Sequence, residues 1–195
     1  MITYVDFLKS LGNFFVDILE TIAVALSLFV LIYAVAAQPH KVQGDSMLPN
    51  FQNNNFLLTD KLSYRLGEAR RGDVIVFHFP KDPRYDYIKR VIALPGEKIS
   101  ITDNKVSIIN SDHPQGFVLD EYYLESGAQT LGKKYLQPGK VATVGDLEYF
   151  VMGDNREASS DSREWGMVKK SDIVGRAFFV YWPPQKLRLV EHASF

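Results

Sequence analysis

The sequence predicts a mainly β domain, built as an antiparallel sheet or partial barrel, attached to one N-terminal transmembrane helix. Residues 21–37 carry no charged side chain and are almost all apolar. Beyond residue 37, short runs rich in Val, Ile, Phe and Tyr alternate with Gly, Pro, Asn and Asp, which is typical of many short strands. We therefore predict that residues 1–37 form an amphipathic lead-in and anchor, and that residues 38–195 form a β-rich domain.

The run 21–37 is long enough to be read as a membrane anchor. With Ile18 and Leu19 it approaches the roughly 20 helical residues that cross a hydrocarbon core about 30 Å thick. A buried soluble helix is one alternative, and a cleavable signal peptide is another because residues 34–36 have a small-x-small pattern. The run exceeds the usual core of a signal peptide, about 7–15 residues, and its N-terminal flank is not strongly basic. A retained anchor is predicted, while the nearly balanced flanking charges leave its orientation open.

Residues 1–20 form the lead-in, because their apolar residues recur at helical spacing. These residues are Phe7, Leu8, Leu11, Phe14, Phe15, Ile18 and Leu19.

The β-rich part divides into strands separated by turn residues. The pair Asp103-Asn104 between two of them predicts a tight hairpin. The polar stretch of about 110–145 is predicted to be a small excursion inserted in the domain. The predicted strands are Phe56–Asp60, Asp73–Phe79, Tyr85–Ala93, Lys98–Thr102, Lys105–Ile109, Leu147–Met152 and Ile173–Trp182.

Composition excludes several kinds of protein. The 195 residues contain 22 basic and 23 acidic side chains, so no bulk positive charge indicates a nucleic-acid partner. Cysteine is absent, which excludes disulfides, thiol catalysis and cysteine-ligated metals. The four histidines lack a metal-ligand spacing such as H-E-x-x-H. These residue patterns indicate no metal site.

Ser46 is the candidate nucleophile, within QGDSMLP at residues 43–49. Glycine at position 44 lets the backbone approach a substrate, and Pro49 restricts the chain after the turn. The nucleophile elbow G-x-S-x-G is not satisfied because Leu48 occupies its last position, so an ordinary turn serine remains an alternative. Ser46 follows Ala37 by nine residues, which keeps it within about 30 Å of the membrane boundary.

Lys89 is the candidate base, because nothing around His78 supports a Ser-His-Asp triad. It lies in a predicted strand that ends in a Pro-Gly turn. Strand alternation places Tyr87, Lys89, Val91 and Ala93 on one face and the neighbouring arginine on the other. Burial among such neighbours can lower a lysine pKa by about 3–5 units. A surface lysine whose amine reaches water is the alternative.

The loop 153–166 is the third segment of interest. Its small polar side chains follow an apolar strand and predict a hydrogen-bonded loop. A calcium loop is excluded, since its alternate positions would be Asp154, Arg156 and Ala158. A solvated loop is the plain alternative. The functional interpretation is a scaffold whose hydroxyls orient a neutral lysine and whose acidic and basic residues pair to hold the loop.

Taken together, four segments resemble the type I signal peptidase family of Ser/Lys proteases. GDSMLP resembles its nucleophile box, RGDVIVF its next strand, YIKRVIALPGEK its lysine box and GDNREASSDSREWG its last box. The matches follow the family's order from about Gln38 to Arg176. Asn50 stands where threonine is common, and we expect this departure to alter loop hydrogen bonds and to leave the dyad alone.

The resemblance implies the roles of individual residues. Ser46 would be the nucleophile and Lys89 the general base. Ser159 would hydrogen-bond the lysine amine, supported by an Asp161–Arg163 ion pair. The oxyanion hole would use the Ser46 N–H and a group from residue 44, and Gly44 offers no hydroxyl. A substrate would lie extended beside Gln38–Val42 and Asp86–Ile88, so the implied binding residues are Val42, Asp86, Tyr87 and Ile88.

The resemblance also implies an activity: removal of signal peptides from exported preproteins after small-x-small sites, through an acyl-enzyme. The implied partners are preprotein signal peptides and the lipid bilayer, with no nucleic acid, no metal and no cofactor. The amino terminus would be cytoplasmic and the β-rich domain on the far side of the membrane. An organellar processing peptidase, a non-catalytic anchored β-domain that binds peptides and a self-cleaving Ser/Lys repressor are alternatives.

Overall fold

The computed structural model describes residues 4–195, in two compact units, Met1–Ala37 and Gln38–Phe195. The first unit contains one helix, α1, Tyr4–Val35. Its segment Lys9–Tyr33 is long and apolar enough to cross a membrane, with about 38 Å of helix and no burial against the chain. Residues 1–3 of the predicted lead-in, and the side chains of Phe7 and Leu8, lie outside the described residues.

The second unit is mainly β. Its short helices are α2, Ser63–Leu66, and α3, Ser162–Trp165, and 3-10 turns occur at Lys170–Asp172 and Pro184–Lys186. The strands are β1 Ala37–Lys41, β2 Phe56–Asp60, β3 Val74–His78, β4 Asp86–Ala93, β5 Lys98–Thr102, β6 Lys105–Ile109, β7 Phe117–Val118, β8 Val141–Thr143, β9 Glu148–Met152, β10 Val168–Lys169, β11 Ile173–Trp182 and β12 Arg188–Leu189.

Two antiparallel sheets organise these strands. The larger has the order β1-β2-β11-β3-β4-β9-β10, with β12 added on β11, and the smaller has the order β7-β6-β5-β8. The prediction of a mainly β, antiparallel fold is confirmed. The predicted hairpin is present, since Asp103 and Asn104 have φ angles of 50° and 61° and Thr102 pairs with Lys105.

The seven predicted strands are all present, and β2, β5, β6 and β11 have the predicted bounds. Sequence patterns missed β7, β8, β10 and β12, because two or three residues are too few to reveal alternation. They also missed β1, whose Pro39 disfavours a strand. The excursion at 110–145 is therefore less irregular than expected, since β7 and β8 pair with β6 and β5.

The predicted face of β4 is partly wrong. A β-bulge shifts the register between Val91 and Ala93, so alternation fails at that point. Ile92 and Ala93 consequently pack in one core cluster with β5, β6 and β9, while Val91 packs with β3 and β9. Lys89 precedes the bulge, so its own position on the strand is unaffected.

Candidate active site

Ser46 lies in a turn that the core and a distant loop both hold. Met47 and Phe51, which follow it, are almost completely buried in the cluster formed with β2, β3 and β11. Asn155 donates its backbone N–H to the Ser46 carbonyl at 3.0 Å and its side-chain amide to the Asp45 carbonyl at 3.1 Å. The serine is thereby fixed from two sides.

Lys89 reaches this serine from the middle of β4. Its Nζ lies 2.8 Å from Ser46 Oγ and donates to the Ile88 carbonyl at 2.8 Å. The lysine is only 4% exposed. Burial lowers the pKa of Lys89 to about 8, against the opposing pull of Asp161 and Asp154. About one lysine in ten is then neutral at pH 7, compared with about one in 2,500 for a free side chain.

Asp161 and Arg163 form the ion pair that the sequence predicted. Two parallel hydrogen bonds of 2.8 and 2.7 Å join them, and both side chains are buried. Burial alone would raise the pKa of Asp161, but the hydrogen bonds from Arg163 and the Gly153 N–H outweigh it and lower that pKa. The carboxylate also caps α3 by accepting from the Arg163 N–H. The loop thus contains a buried Asp161–Arg163 ion pair.

Ser159 lies in this loop without the hydrogen bond that was expected. Its Oγ is buried and makes no hydrogen bond of normal geometry to Lys89 or to any other group among residues 4–195, although its hydroxyl lies close enough to the Asp161 carboxylate to help lower the pKa of Asp161. A Cβ added to Gly153 would lie 2.3 Å from Ser159 Oγ and 2.4 Å from the Ser46 carbonyl oxygen. Glycine is therefore required at position 153, because it lets the serine loop and the nucleophile turn approach each other.

Of the two donors expected for an oxyanion hole, the described residues provide one that is free. Within the described chain the Ser46 N–H makes no hydrogen bond and is available. The Gly44 N–H already donates to Asn53 Oδ1 at 3.2 Å, and Gly44 adopts a positive φ of 87° that favours glycine. The structure therefore offers one ready donor at this position.

A groove of about 370 Å³ opens beside the dyad. Ser46 and Lys89 line one part of it, together with strands β1 and β4. The predicted substrate-binding residues Val42, Asp86, Tyr87 and Ile88 all line it. An extended peptide could therefore contact both strands beside the reactive pair.

Several supporting residues were not predicted. Arg90, on the opposite side of β4 from Lys89, forms a buried ion pair with Asp154 at 2.7 Å. Asn50 donates to Asp154 Oδ2 and to the Tyr123 carbonyl, and the expectation that it alters the loop hydrogen bonds relative to threonine stays a prediction. No sequence signal identified these contacts, since their partners lie far apart in the chain.

The excursion at 110–145 also contacts the serine loop. Arg156 is buried and bonds Glu121 and Thr130, and Lys133 donates to the Ser159 carbonyl. No group of three or more His, Asp or Glu side chains within residues 4–195 is arranged to hold a metal ion. The expectation that no metal or cofactor is needed stays a prediction.

Comparison with known proteins decides the family. A model of the family described as "Signal peptidase, peptidase S26" matches residues 15–182. This chain belongs to the signal peptidase family. The family prediction from the four ordered segments is confirmed, and the chain is accordingly a peptidase.

Signal peptidases similar to this chain come from several bacteria. Signal peptidase I of Bacillus caldolyticus is 40% identical over 73% of this chain and 78% of its own length. The Leptolyngbya laminosa enzyme is 35% identical over 87% of this chain and 80% of its own. A crystal structure of a signal peptidase I from Enterococcus faecalis V583 has 30% identity and a TM-score of 0.45, covering 56% of this chain and 96% of that one. The Bacillus and Leptolyngbya enzymes give no support to the organellar alternative.

Proposed function

We propose that this chain is a membrane-anchored signal peptidase I that removes N-terminal signal peptides from exported preproteins after small-x-small sites. The observation that carries the proposal is the 2.8 Å contact between Ser46 Oγ and the Nζ of a buried lysine, Lys89. A serine needs a base to become a nucleophile, and this lysine has a pKa lowered to about 8.

In the proposed reaction, neutral Lys89 takes the proton of Ser46 as Oγ forms a bond to the substrate carbonyl carbon. The carbonyl becomes an oxyanion, which the Ser46 N–H stabilises. Collapse breaks the C–N bond, the Lys89 ammonium protonates the leaving amine, and the acyl-enzyme remains. A water molecule then gives a proton to Lys89 and its oxygen bonds to the ester carbonyl carbon. Collapse breaks the bond between that carbon and Ser46 Oγ, the Lys89 ammonium returns the proton to Oγ, and the signal peptide is released with Ser46 and neutral Lys89 regenerated.

Ser159, Asp161 and Arg163 would support the base in this scheme. A neutral amine whose lone pair faces the Ser46 hydroxyl has two N–H donors. The Ile88 carbonyl accepts one of them. Ser159 Oγ is buried without a partner in the described chain and is the acceptor we assign to the second. The Asp161–Arg163 pair would hold the serine loop in place.

The groove between β1 and β4 would bind the substrate as an extended strand. Val42 and Ile88 present apolar surface there, next to Leu57 and Val76 of the same core cluster. Such surface suits small apolar side chains. β1 is the edge strand of its sheet, and within the described residues the part of β4 before Arg90 pairs with β3 alone, so both strands could pair with a peptide through their backbones. These features support Val42, Asp86, Tyr87 and Ile88 as the substrate-binding residues.

We also propose a membrane topology for the two units. Residues 1–37 would anchor the protein in the cell membrane with the amino terminus in the cytoplasm, and residues 38–195 would act outside it. The apolar helix segment Lys9–Tyr33 supports the anchor. Protease accessibility in sealed membrane vesicles of known orientation would test the assigned topology.

The activity is tested with the full chain in detergent, a preprotein substrate and sequencing of the new amino terminus. We expect cleavage after a small residue, loss of cleavage in Ser46→Ala and Lys89→Met, and blockage when that small residue is replaced by Phe. The exposed Lys98→Met is the matched control and should cleave normally. Cleavage that persists in Lys89→Met would exclude the dyad, and binding without cleavage in wild type would favour a non-catalytic peptide-binding domain.

A further inference from the structure

One end of the groove is polar, and this end is separate from the dyad. His40 of β1 and Asp86 of β4 both line the groove, and His40 Nε2 lies 3.3 Å from Asp86 Oδ2. His78 Nδ1 lies 2.7 Å from the other carboxylate oxygen of Asp86. His40 Nδ1 is also 2.9 Å from Thr59 Oγ1. The three side chains form a network, which we call the His40–Asp86–His78 network.

The alternation of β1 and β4 places this network in line with the apolar part of the groove. Gln38 and His40 of β1 share one inward face with Val42, which directly follows the strand, since the intervening residues 39 and 41 are exposed. On β4, Asp86 and Ile88 share a face by the same alternation. Val42 and Ile88 pack in one core cluster, and the network lies two residues further from Ser46 along each strand.

The same two-residue spacing occurs in an extended substrate. Its first and third residues before the cut point to the same side, about 7 Å apart. The first residue must lie at Ser46, above Val42 and Ile88. The third residue then lies above His40 and Asp86, one strand repeat away.

Resting on the proposed function, we propose that His40 and Asp86 of this network form the subsite for the third residue before the cut and select a small hydroxyl side chain, Ser or Thr, while His78 holds the Asp86 carboxylate from outside the groove. Each carboxylate oxygen can accept two hydrogen bonds, so Asp86 retains capacity beyond its two histidines. Its side chain is 31% exposed, compared with 13% for His40. A hydroxyl above it can therefore donate directly to the carboxylate.

The state of His40 supports this chemistry. Burial lowers the pKa of His40 despite the opposing effect of Asp86, which keeps the imidazole neutral near pH 7. A neutral imidazole leaves the Asp86 carboxylate without a full ionic partner on this side. An apolar side chain placed above it would remove water and provide no hydrogen bond, which disfavours valine relative to its isostere threonine.

The test compares three preproteins that differ only in carrying Ala, Thr or Val at the third residue before the cut. We expect wild-type kcat/KM to favour Thr over Val by about tenfold, the effect of one hydrogen bond to a carboxylate in a partly open site. His40→Val and Asp86→Ala should bring the Thr/Val ratio close to one. His113→Val changes a histidine outside the groove and should keep the wild-type ratio.

The ratio is measured within one enzyme, so partial loss of folded protein does not alter it. A wild-type Thr/Val ratio of one would overturn the inference even if no variant folds. An unchanged ratio in both His40→Val and Asp86→Ala would overturn it as well. Failure of wild type to cleave the Ala preprotein would instead overturn the proposed function, and this inference with it.

Discussion

Lys89 Nζ lies 2.8 Å from Ser46 Oγ, although 43 positions separate the two residues in the chain. The lysine is enclosed by the protein, and this enclosure lowers its pKa. Burial of the base and its contact with the nucleophile are thus produced by the same packing. The first three predictions concern this pair and its surroundings.

The pH dependence of cleavage should report the pKa of Lys89. Only the neutral lysine can accept the Ser46 proton, so kcat/KM should rise about tenfold per pH unit below pH 8 and level off above it. The measurement is kcat/KM for one preprotein from pH 6 to 10. An inflection near 6.5 in place of 8 would indicate a histidine base and contradict the assignment.

Replacement of Lys89 by methionine should stabilise the protein while removing activity. The pKa of Lys89 is about 8 in the folded chain and about 10.4 in an unfolded one, so the unfolded chain binds more protons between these values. Wild-type stability therefore rises with pH across that window, and below it the buried lysine costs up to about 3 kcal/mol. Urea unfolding in detergent at pH 7 should show Lys89→Met as more stable by up to that amount.

The advantage of Lys89→Met should shrink as the pH approaches 10. Lys98→Met is the control and should match wild type at both pH values, because Lys98 is exposed. Equal free energies of unfolding for Lys89→Met and wild type at pH 7 would show that burial of Lys89 does not destabilise the folded protein.

Ser159→Ala should reduce activity without reducing stability. The buried Ser159 Oγ makes no hydrogen bond of normal geometry in the described chain, and its effect on the Asp161 carboxylate is small beside that of Arg163, so its removal should cost little stability. If it accepts from the Lys89 amine during the reaction, its loss should lower kcat roughly 10–100-fold and move the inflection of the pH profile. Ser171→Ala, at an exposed position, is the control. A wild-type kcat and pH profile in Ser159→Ala would remove Ser159 from the mechanism.

Asp154→Ala should be among the most destabilising changes in the domain. The Arg90 and Asp154 side chains are 2% and 0% exposed and share two hydrogen bonds of 2.8 and 2.7 Å. Removal of one partner leaves a buried charge, which costs about 3–5 kcal/mol. Asp82→Ala breaks the exposed Arg84–Asp82 pair and should have no measurable effect.

The double variant Arg90→Met/Asp154→Leu separates the buried charge from the packing around it. It should recover much of the stability that Asp154→Ala loses, as measured by urea unfolding. A double variant as unstable as the single one would argue that the pair acts through packing instead of charge.

Acid should destabilise the chain through His192, near the carboxyl end. Burial and the nearby Arg176 lower the pKa of His192 to about 4, and its ring lies against Val74 N–H, Arg176 and Asp73. An unfolded histidine has a pKa near 6.5, so the unfolded chain binds more protons between pH 4 and 6.5. The stabilisation is present above pH 6.5 and is lost as the pH falls toward 4.

Urea unfolding at pH 7.5 and 4.5 measures this loss. His192→Gln should reduce the difference between the two pH values, and His113→Gln, which changes an exposed histidine, should leave it unchanged. An identical pH dependence in His192→Gln and wild type would rule out His192 as the group responsible.

Much of the fold could be predicted from sequence because strands of five or more residues show their own alternation. The bounds of β2 and β11 follow directly from such runs. β8 could not be predicted, because its three residues form a strand only by pairing with β5. The bulge after Val91 likewise depends on pairing with β9 and leaves no mark in the residues of β4.

The candidate site also has residues that sequence motifs indicated and contacts that they did not. Four ordered motifs indicate Ser46 and Lys89 as a pair, although the residues immediately around each one do not identify it as catalytic. No motif indicated that Arg90 would pair with Asp154, or that Ser159 Oγ would lack a partner, because charge and hydroxyl types do not specify which distant group they meet.

The sequence by itself determined the apolar helix, the longer strands and the family, because hydrophobic periodicity and motif order are local properties of the chain. Only the tertiary structure decided that Lys89 is enclosed beside Ser46, that Asn155 holds the nucleophile turn and that His40 meets Asp86 in the groove. Each of these depends on side chains from separate strands and loops that packing brings within a few ångströms.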